Sequence, residues 1–456
     1  MSATYTVTNP YDNSLLGEYP HTTWQEVEAS LALLQSGRQA LRKTPACERA
    51  SVLGKLAELL AANSEALAEL ITRETGKTIT DARVEMKRAT NAAIACSEEA
   101  RQISGETLDS DAYAPMGGKF GIVCWRPLGT VLCITPFNFP INIAVHKIGP
   151  AYAAGNTILF KPGPQNTASA RRLVELCYEA GMPADALQLC VPALADMDRL
   201  NAHPAVDAIN FTGGSAAADA IAAAAGYKKL LLELGGNDPL IVMDDGDLDA
   251  AVNAAINHRL ATAGQRCTAA KRLFIHSAVY ETFRERLLAR AGALKVGDPM
   301  DPETFVGPVI NRRAAEAIER SVQQAVDAGA TVALGHRYEG AFVWPTVLEN
   351  VPADCELMRE EVFGPVLPLY RFTDVEEIIP IINNSIYGLQ GGVFSNNLAV
   401  VRHLFEELEV GTLAVNDGPG FRTEHFPFGG VKASGVGREG IKYAIREMSY
   451  TKTLVL

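Results

Sequence analysis

The chain has 456 residues, of which 48% are apolar and 21% charged, with a net charge of −12; that length buries a core in two or three structural units. The acidic balance, with no dense Lys/Arg block, excludes the usual profile of a nucleic-acid binder. The eight cysteines form no C-x-x-C or Cys/His cluster, Met1-Ser2-Ala3-Thr4-Tyr5 has no signal-peptide pattern, and no apolar run nears the roughly 20 residues that span a bilayer. A cytoplasmic protein with reduced thiols, no metal and no membrane attachment is therefore expected. From Trp24 to about Gln102, Leu53, Leu56, Leu59, Leu60, Leu67 and Leu70 recur at helical spacing between charged residues. Gly76 and Thr78 interrupt this run, which predicts at least two long helices. Phe120, Ile122, Cys124 and Trp125 read as strand, and Arg126-Pro127-Leu128-Gly129 as a turn.

Beyond Thr130 the periods alternate. Strand-like Val131–Ile134, Thr157–Phe160, Leu187–Val191 and Ala208–Phe211 are separated by helical Ile143–Ala154 and Ala168–Ala180. This pattern predicts parallel strands with crossover helices. A second α/β region follows Glu233. It holds strand-like Leu240–Val242 and Arg272–Ile275, and a helix from Leu248 to about Ala261 capped by Asp247. Alternation continues through Ala314–Ala328, Thr331–Leu334, Val375–Ile382 and Val400–Leu408. The tail Thr451–Leu456 is apolar and β-prone, so pairing with another strand is expected, a partner subunit's strand among the candidates.

Three strand ends look like one ligand crevice. Phe211-Thr212-Gly213-Gly214-Ser215 closes a strand and opens an Ala-rich helix, whose unpaired N–H groups suit a pyrophosphate. Lys161-Pro162 follows a second strand, where a lysine can reach ribose hydroxyls or phosphate. Thr135-Pro136-Phe137-Asn138-Phe139-Pro140 follows a third and places an amide in an apolar loop. Cys267, in Gly264-Gln265-Arg266-Cys267-Thr268, and Glu233, in Glu233-Leu234-Gly235-Gly236, supply a thiol and a carboxylate. A thiolate attacks a carbonyl carbon, an amide donor steadies the resulting oxyanion, and a carboxylate activates the water that opens a thioester.

These motifs, with Asn9-Pro10, Glu361-Val362-Phe363-Gly364-Pro365 and Pro427-Phe428-Gly429-Gly430-Val431-Lys432-Ala433-Ser434-Gly435, make the chain resemble the NAD(P)-dependent aldehyde dehydrogenases over nearly its whole length. The resemblance implies an α/β fold. A Rossmann-like cofactor domain (1–112 and 130–233) joins a related catalytic domain (234–440) and a small β oligomerisation element (113–129 and 441–456), so a homodimer or homotetramer is implied. It also implies roles: Cys267 as nucleophile, Asn138 with the Cys267 N–H as oxyanion donors, and Glu233 as general base. The cofactor, NAD or NADP, falls to Thr135, Pro136, Phe137, Lys161, Gly163, Phe211, Thr212, Gly213, Gly214, Ser215, Leu234, Glu361 and Phe363.

Arg266 beside the nucleophile narrows the substrate. Gln-Arg-Cys-Thr-Ala-x-Lys-Arg and Phe421-Arg422-Thr423-Glu424-His425-Phe426-Pro427 resemble the branch that oxidises phosphorylated or phosphonate aldehydes. That branch includes the non-phosphorylating glyceraldehyde-3-phosphate and phosphonoacetaldehyde dehydrogenases. Arginine forks suit such anions. A small aldehyde with an anionic tail is expected, oxidised to the free acid without transfer to CoA or phosphate. Arg266, Arg422, His425, Arg101, His146 and Thr268 are its candidate contacts. The alternative is a lactaldehyde- or succinate-semialdehyde-type enzyme without phosphoryl recognition. Pro164 stands where NAD-preferring relatives often carry Glu, so NADP is admissible.

Overall fold

A computed structural model describes residues 3–113 and 117–456. Met1, Ser2 and residues 114–116 lie outside the described residues, and with them the start of the N-terminal reading and part of the 113–129 segment. The Leu-rich region forms four helices: Trp24–Lys43, Ala46–Ala62, Ser64–Thr75 and Ile79–Ala100. Local signals set their ends. Thr23 and Glu26 form a capping box, and Thr78 caps the fourth helix by accepting the Asp81 N–H. Gly76, at φ 75°, ends the third in the left-handed conformation that glycine adopts without strain.

Two doubly wound sheets follow. The first has six strands in the order Gly435–Val436, Lys229–Glu233, Ala208–Thr212, Thr130–Ile134, Thr157–Lys161 and Leu187–Leu189, parallel except for Gly435–Val436. The second has seven, centred on Val366–Phe372, Arg272–His276 and Pro239–Val242. Fully buried β-branched and leucine side chains on these strands fill separate cores for the two sheets, as parallel sheets covered on both faces require. The strand Lys229–Glu233, absent from the sequence reading, was signalled by the run Leu230-Leu231-Leu232.

The expected unit boundaries need three adjustments. Gly435–Val436, inside the span given to the catalytic unit, hydrogen-bonds to Glu233 and Leu232 in the first sheet. Glu106–Asp109, inside the span given to the cofactor unit, instead joins Phe120–Pro127 and Ser449–Val455 in a three-stranded antiparallel sheet. The helix Ile441–Glu447 buries Ile441, Ala444 and Ile445 in a core of the first unit rather than in that small sheet. The tail does find a strand, but in its own chain: Ser449–Val455 runs antiparallel to Phe120–Pro127 from Ser449↔Pro127 to Val455↔Gly121.

One wholly buried helix, Pro140–Ala154, organises the interior. The Glu85 carboxylate accepts the N–H groups of Ile141 and Asn142 at 3.0 and 3.1 Å, occupying orphan donors at its N-terminus. Glu85 is paired with the fully buried Lys77, whose ammonium sits 3.6 Å above the Phe139 ring. This packing fixes the loop that carries Asn138.

Candidate active site

Four parallel strands of the first sheet end at one cleft of about 610 Å³. Thr135–Asn138 leave the strand Thr130–Ile134, Lys161 and Gly163 leave Thr157–Lys161, Phe211–Gly214 leave Ala208–Thr212, and Leu234 follows Glu233. Crevices beyond the carboxyl ends of parallel strands are where such sheets take ligands. Glu361, Phe363 and Cys267 complete the lining, with the Phe137 and Phe363 rings edge to face at 6.1 Å. Ser215 is off this wall: it heads the helix Ser215–Ala225, with its hydroxyl 3.3 Å from the Tyr387 hydroxyl.

The lining fits a dinucleotide. Gly213 and Gly214 precede a helix N-terminus, and Gly214 has open space where a side chain would stand. The Thr135 and Thr212 hydroxyls are buried without a partner. Burial lowers the pKa of Lys161, and no carboxylate pairs with it among the described residues. Pro164 and Gln165 border Lys161 on the wall, and the Gln165 amide is engaged with the Thr8 and Glu74 carbonyls.

The segment before Cys267 is held in an unusual backbone shape. Thr262, Ala263 and Gly264 have φ of 56°, 52° and 75°. Only glycine takes this region freely, so the first two residues are strained. At Gly264 a Cβ would lie 2.2 Å from the Gly364 carbonyl oxygen. Contacts from distant parts of the chain impose the shape. Asp81 accepts the Thr262 N–H at 2.7 Å, and Gln265 Oε1 accepts the Ile310 N–H at 2.9 Å. Lys271 Nζ donates to the Arg266 carbonyl at 3.0 Å and to the Cys267 carbonyl, and pairs with Glu361 at 3.0 Å. The Asn138 amide donates to the Gln265 carbonyl at 2.8 Å, which leaves its second N–H for another acceptor. The Cys267 N–H has no acceptor among the described residues.

Burial pushes the Cys267 thiol up to about 11, against the pull of the Lys271 ammonium. Glu233 is also buried, and burial together with the nearby Glu439 charge raises its carboxyl well above the ordinary range. Its side chain is not on the cleft wall. One oxygen faces Gly429, and Oε2 has no partner. Behind it lies an ion cluster: Lys147 Nζ bonds Glu439 at 2.9 Å and Asn210 at 2.6 Å, and Arg422 bonds Glu439 at 2.9 Å. Against burial, Lys147 and Arg422 hold Glu439 below the usual carboxylate range.

A second, smaller cavity shares Cys267 with the cleft. Arg88, Arg266 and Arg422 converge on it, beside Thr268, Phe139 and Phe428. Arg422 stacks 3.9 Å over Phe428 and is neutralised by Glu439. Arg266 and Arg88 have no carboxylate partner among the described residues. Burial, with the Arg422 and Arg266 cations, pulls Arg88 down to about 10. An acceptor-rich anion is the natural complement of such a group.

Sequence reasoning missed Arg88. It named Arg101 instead, but the Arg101 guanidinium turns back to the Ser97 carbonyl and hydroxyl and does not reach the cavity. His425 is also elsewhere: it bonds the Thr423 hydroxyl and lines an outer groove with Asn91 and Ile94. His146 lies one layer below, where its Nδ1 accepts from Arg422 at 3.3 Å. Burial and the Arg422 charge hold its pKa well below the ordinary value, so it stays neutral.

Residues 1–454 match the model of the aldehyde dehydrogenase family. A sulfoacetaldehyde dehydrogenase of Neptuniibacter caesariensis is 72% identical over 456 residues, 100% of each chain. A 3-sulfolactaldehyde dehydrogenase of Priestia megaterium (strain ATCC 12872 / QMB1551) is 38% identical over 99% of this chain and 94% of its own length. The crystal structure of glyceraldehyde-3-phosphate dehydrogenase GapN from Methanocaldococcus jannaschii DSM 2661, complexed with NADP, superposes with a TM-score of 0.95. It is 34% identical, over 99% of this chain and 98% of that one.

Proposed function

This chain belongs to the aldehyde dehydrogenase family, and from that premise we propose that it oxidises a short aldehyde with a sulfonate tail, of the sulfoacetaldehyde type, to the free carboxylic acid. It is an NAD- or NADP-dependent aldehyde dehydrogenase. The observation that carries the sulfonate reading is the three-arginine cavity beside Cys267. A tail held there leaves the aldehyde carbon at the thiol. The 72% identical sulfoacetaldehyde dehydrogenase supports a sulfonate among the anionic tails, phosphate, phosphonate or similar, expected from sequence.

In this reading the Cys267 thiol gives its proton to water, its sulfur bonds to the carbonyl carbon, and the resulting oxyanion takes the Cys267 N–H and the free Asn138 N–H. The bound dinucleotide supplies the hydride acceptor. Lys161, Thr212 and the Ser215–Ala225 helix start hold its adenosine side, and Glu361 and Phe363 its nicotinamide side. A thioester on Cys267 results. Glu233 Oε2, buried and partnerless, takes a proton from water as the water adds to the acyl carbon. The carbon–sulfur bond breaks, releasing the acid and the thiol. Hydrolysis by this base sets the reaction apart from acyl transfer to CoA or phosphate. Exposed Leu108, Phe120, Leu454 and Val455 on the small sheet support self-association as a dimer or tetramer.

The test compares sulfoacetaldehyde with methylsulfonylacetaldehyde, its uncharged isostere. Wild-type kcat/KM should favour the anion by about 100-fold, the scale of one or two charge-assisted hydrogen bonds. Arg88→Ala and Arg266→Ala should each remove about tenfold or more of that preference. Equal rates for both aldehydes would sink the reading. Phosphono- and carboxy-aldehydes in the same panel rank the tail chemistry. A separate expectation concerns the cofactor: Pro164→Glu should lower kcat/KM for NADP relative to NAD by about tenfold, since it sets a carboxylate against the 2′-phosphate.

A further inference from the structure

Two of the three arginines that line the second cavity come from loops of different segments, Arg266 from the nucleophile loop and Arg422 from the loop after the strand Thr412–Val415. His258, on the helix Leu248–Leu260, joins those segments. Its Nδ1 accepts the Gly420 N–H at 3.0 Å, and its Nε2 lies 3.3 Å from Asp417 Oδ1. The first bond needs a lone pair on Nδ1, so the ring proton is on Nε2 and points to Asp417. The His258 carbonyl accepts the Ala270 N–H at 3.3 Å, which ties the same residue to the other side of the nucleophile loop. Arg266 rests against this joint, with its guanidinium 3.4 Å from the Asn257 carbonyl. Gly420 passes between the two side chains: a Cβ there would lie 2.3 Å from His258 Nδ1 and 2.7 Å from Arg266 Nη2. Burial and the Arg266 cation pull His258 down to about 4, against Asp417, so the ring stays neutral at working pH and Nδ1 remains an acceptor.

We propose that His258 is a positioning residue that sets the spacing of Arg266 and Arg422, and thereby the enzyme's preference for an anionic tail. It touches neither the cleft nor the second cavity, so it acts only through the Gly420 bond and the packing of Arg266. The proposal rests on the anionic-substrate reading above.

The experiment reads the ratio of kcat/KM for sulfoacetaldehyde over methylsulfonylacetaldehyde. His258→Ala should lower the ratio by about tenfold, mainly through KM for the anion. His258→Asn, whose side-chain oxygen can accept from Gly420, should bring the ratio back to within about threefold of wild type. Gly420→Ala should lower the ratio as His258→Ala does, and it carries the test if His258→Ala is insoluble. A general loss of folding lowers both aldehydes together and leaves the ratio unchanged. An unchanged ratio in soluble His258→Ala or Gly420→Ala overturns the proposal, as does an Asn variant no better than Ala. A wild-type ratio near one instead defeats the anionic-substrate reading itself, before any variant is compared.

Discussion

Cys267→Ala should lower aldehyde oxidation by about 10⁴-fold or more, the scale seen when the nucleophile of a coupled catalytic group is removed. The two cavities meet at this thiol, so the anionic tail and the hydride acceptor can be bound together only around it. No other thiol can stand in. None of the other seven cysteines lines either cavity, and burial pushes Cys133, Cys177 and Cys190 up to about 12. Position rather than titration sets Cys267 apart, since burial raises its own thiol as well, up to about 11. The measurement is NAD(P)H formation, with cofactor binding followed separately by fluorescence. Binding should survive in the alanine variant, because the strand-end groups are untouched. Oxidation at the wild-type rate would refute the covalent route.

The second large effect falls on Glu233→Gln. Acyl-enzyme formation should persist, while hydrolysis drops by about 10²–10⁴-fold, the range of general-base catalysis. The expected trace is a burst of about one NAD(P)H per active site followed by near-complete stalling. Acid quenching and mass spectrometry should then find the acyl group on Cys267. The pH dependence has a definite sign. A carboxyl acts as base only when ionised, and burial with the Glu439 charge raises its pKa well above the ordinary range. Wild-type hydrolysis should therefore fall as pH drops through a value above the usual carboxylate titration, and the Gln variant should lose that limb. A variant with no burst would instead place Glu233 in the first half of the reaction.

The strand ends and the nucleophile were readable because their signals are local. A short apolar run followed by Gly, Pro or Lys marks a strand opening into a crevice, and Thr135–Asn138, Lys161 and Phe211–Gly214 all line one cleft. The second cavity was half readable. Arg266 and Arg422 stood out beside family motifs, whereas Arg88 sits mid-helix among Glu85, Lys87 and Thr90, where a charge reads as a solvated face. Only the packing of Ile79–Ala100 against Pro140–Ala154 shows which face of that helix meets the cavity. Arg101 lies well over three turns further on and points elsewhere. His258 gave no signal at all, since its partners Asp417 and Gly420 are remote in sequence. The tail Thr451–Leu456 was recognised as β-prone by composition, but composition carries no address, and the strand that forms, Ser449–Val455, pairs with Phe120–Pro127 of the same chain.

The left-handed turn at Thr262–Gly264 also ties the nucleophile loop to the N-terminal part of the chain. Its shape costs free energy locally and is held by Asp81 and Asn138, which lie far back along the sequence. Unpacking the helix Ile79–Ala100 releases the Thr262 N–H, and with it one of the ties that hold the segment before Cys267.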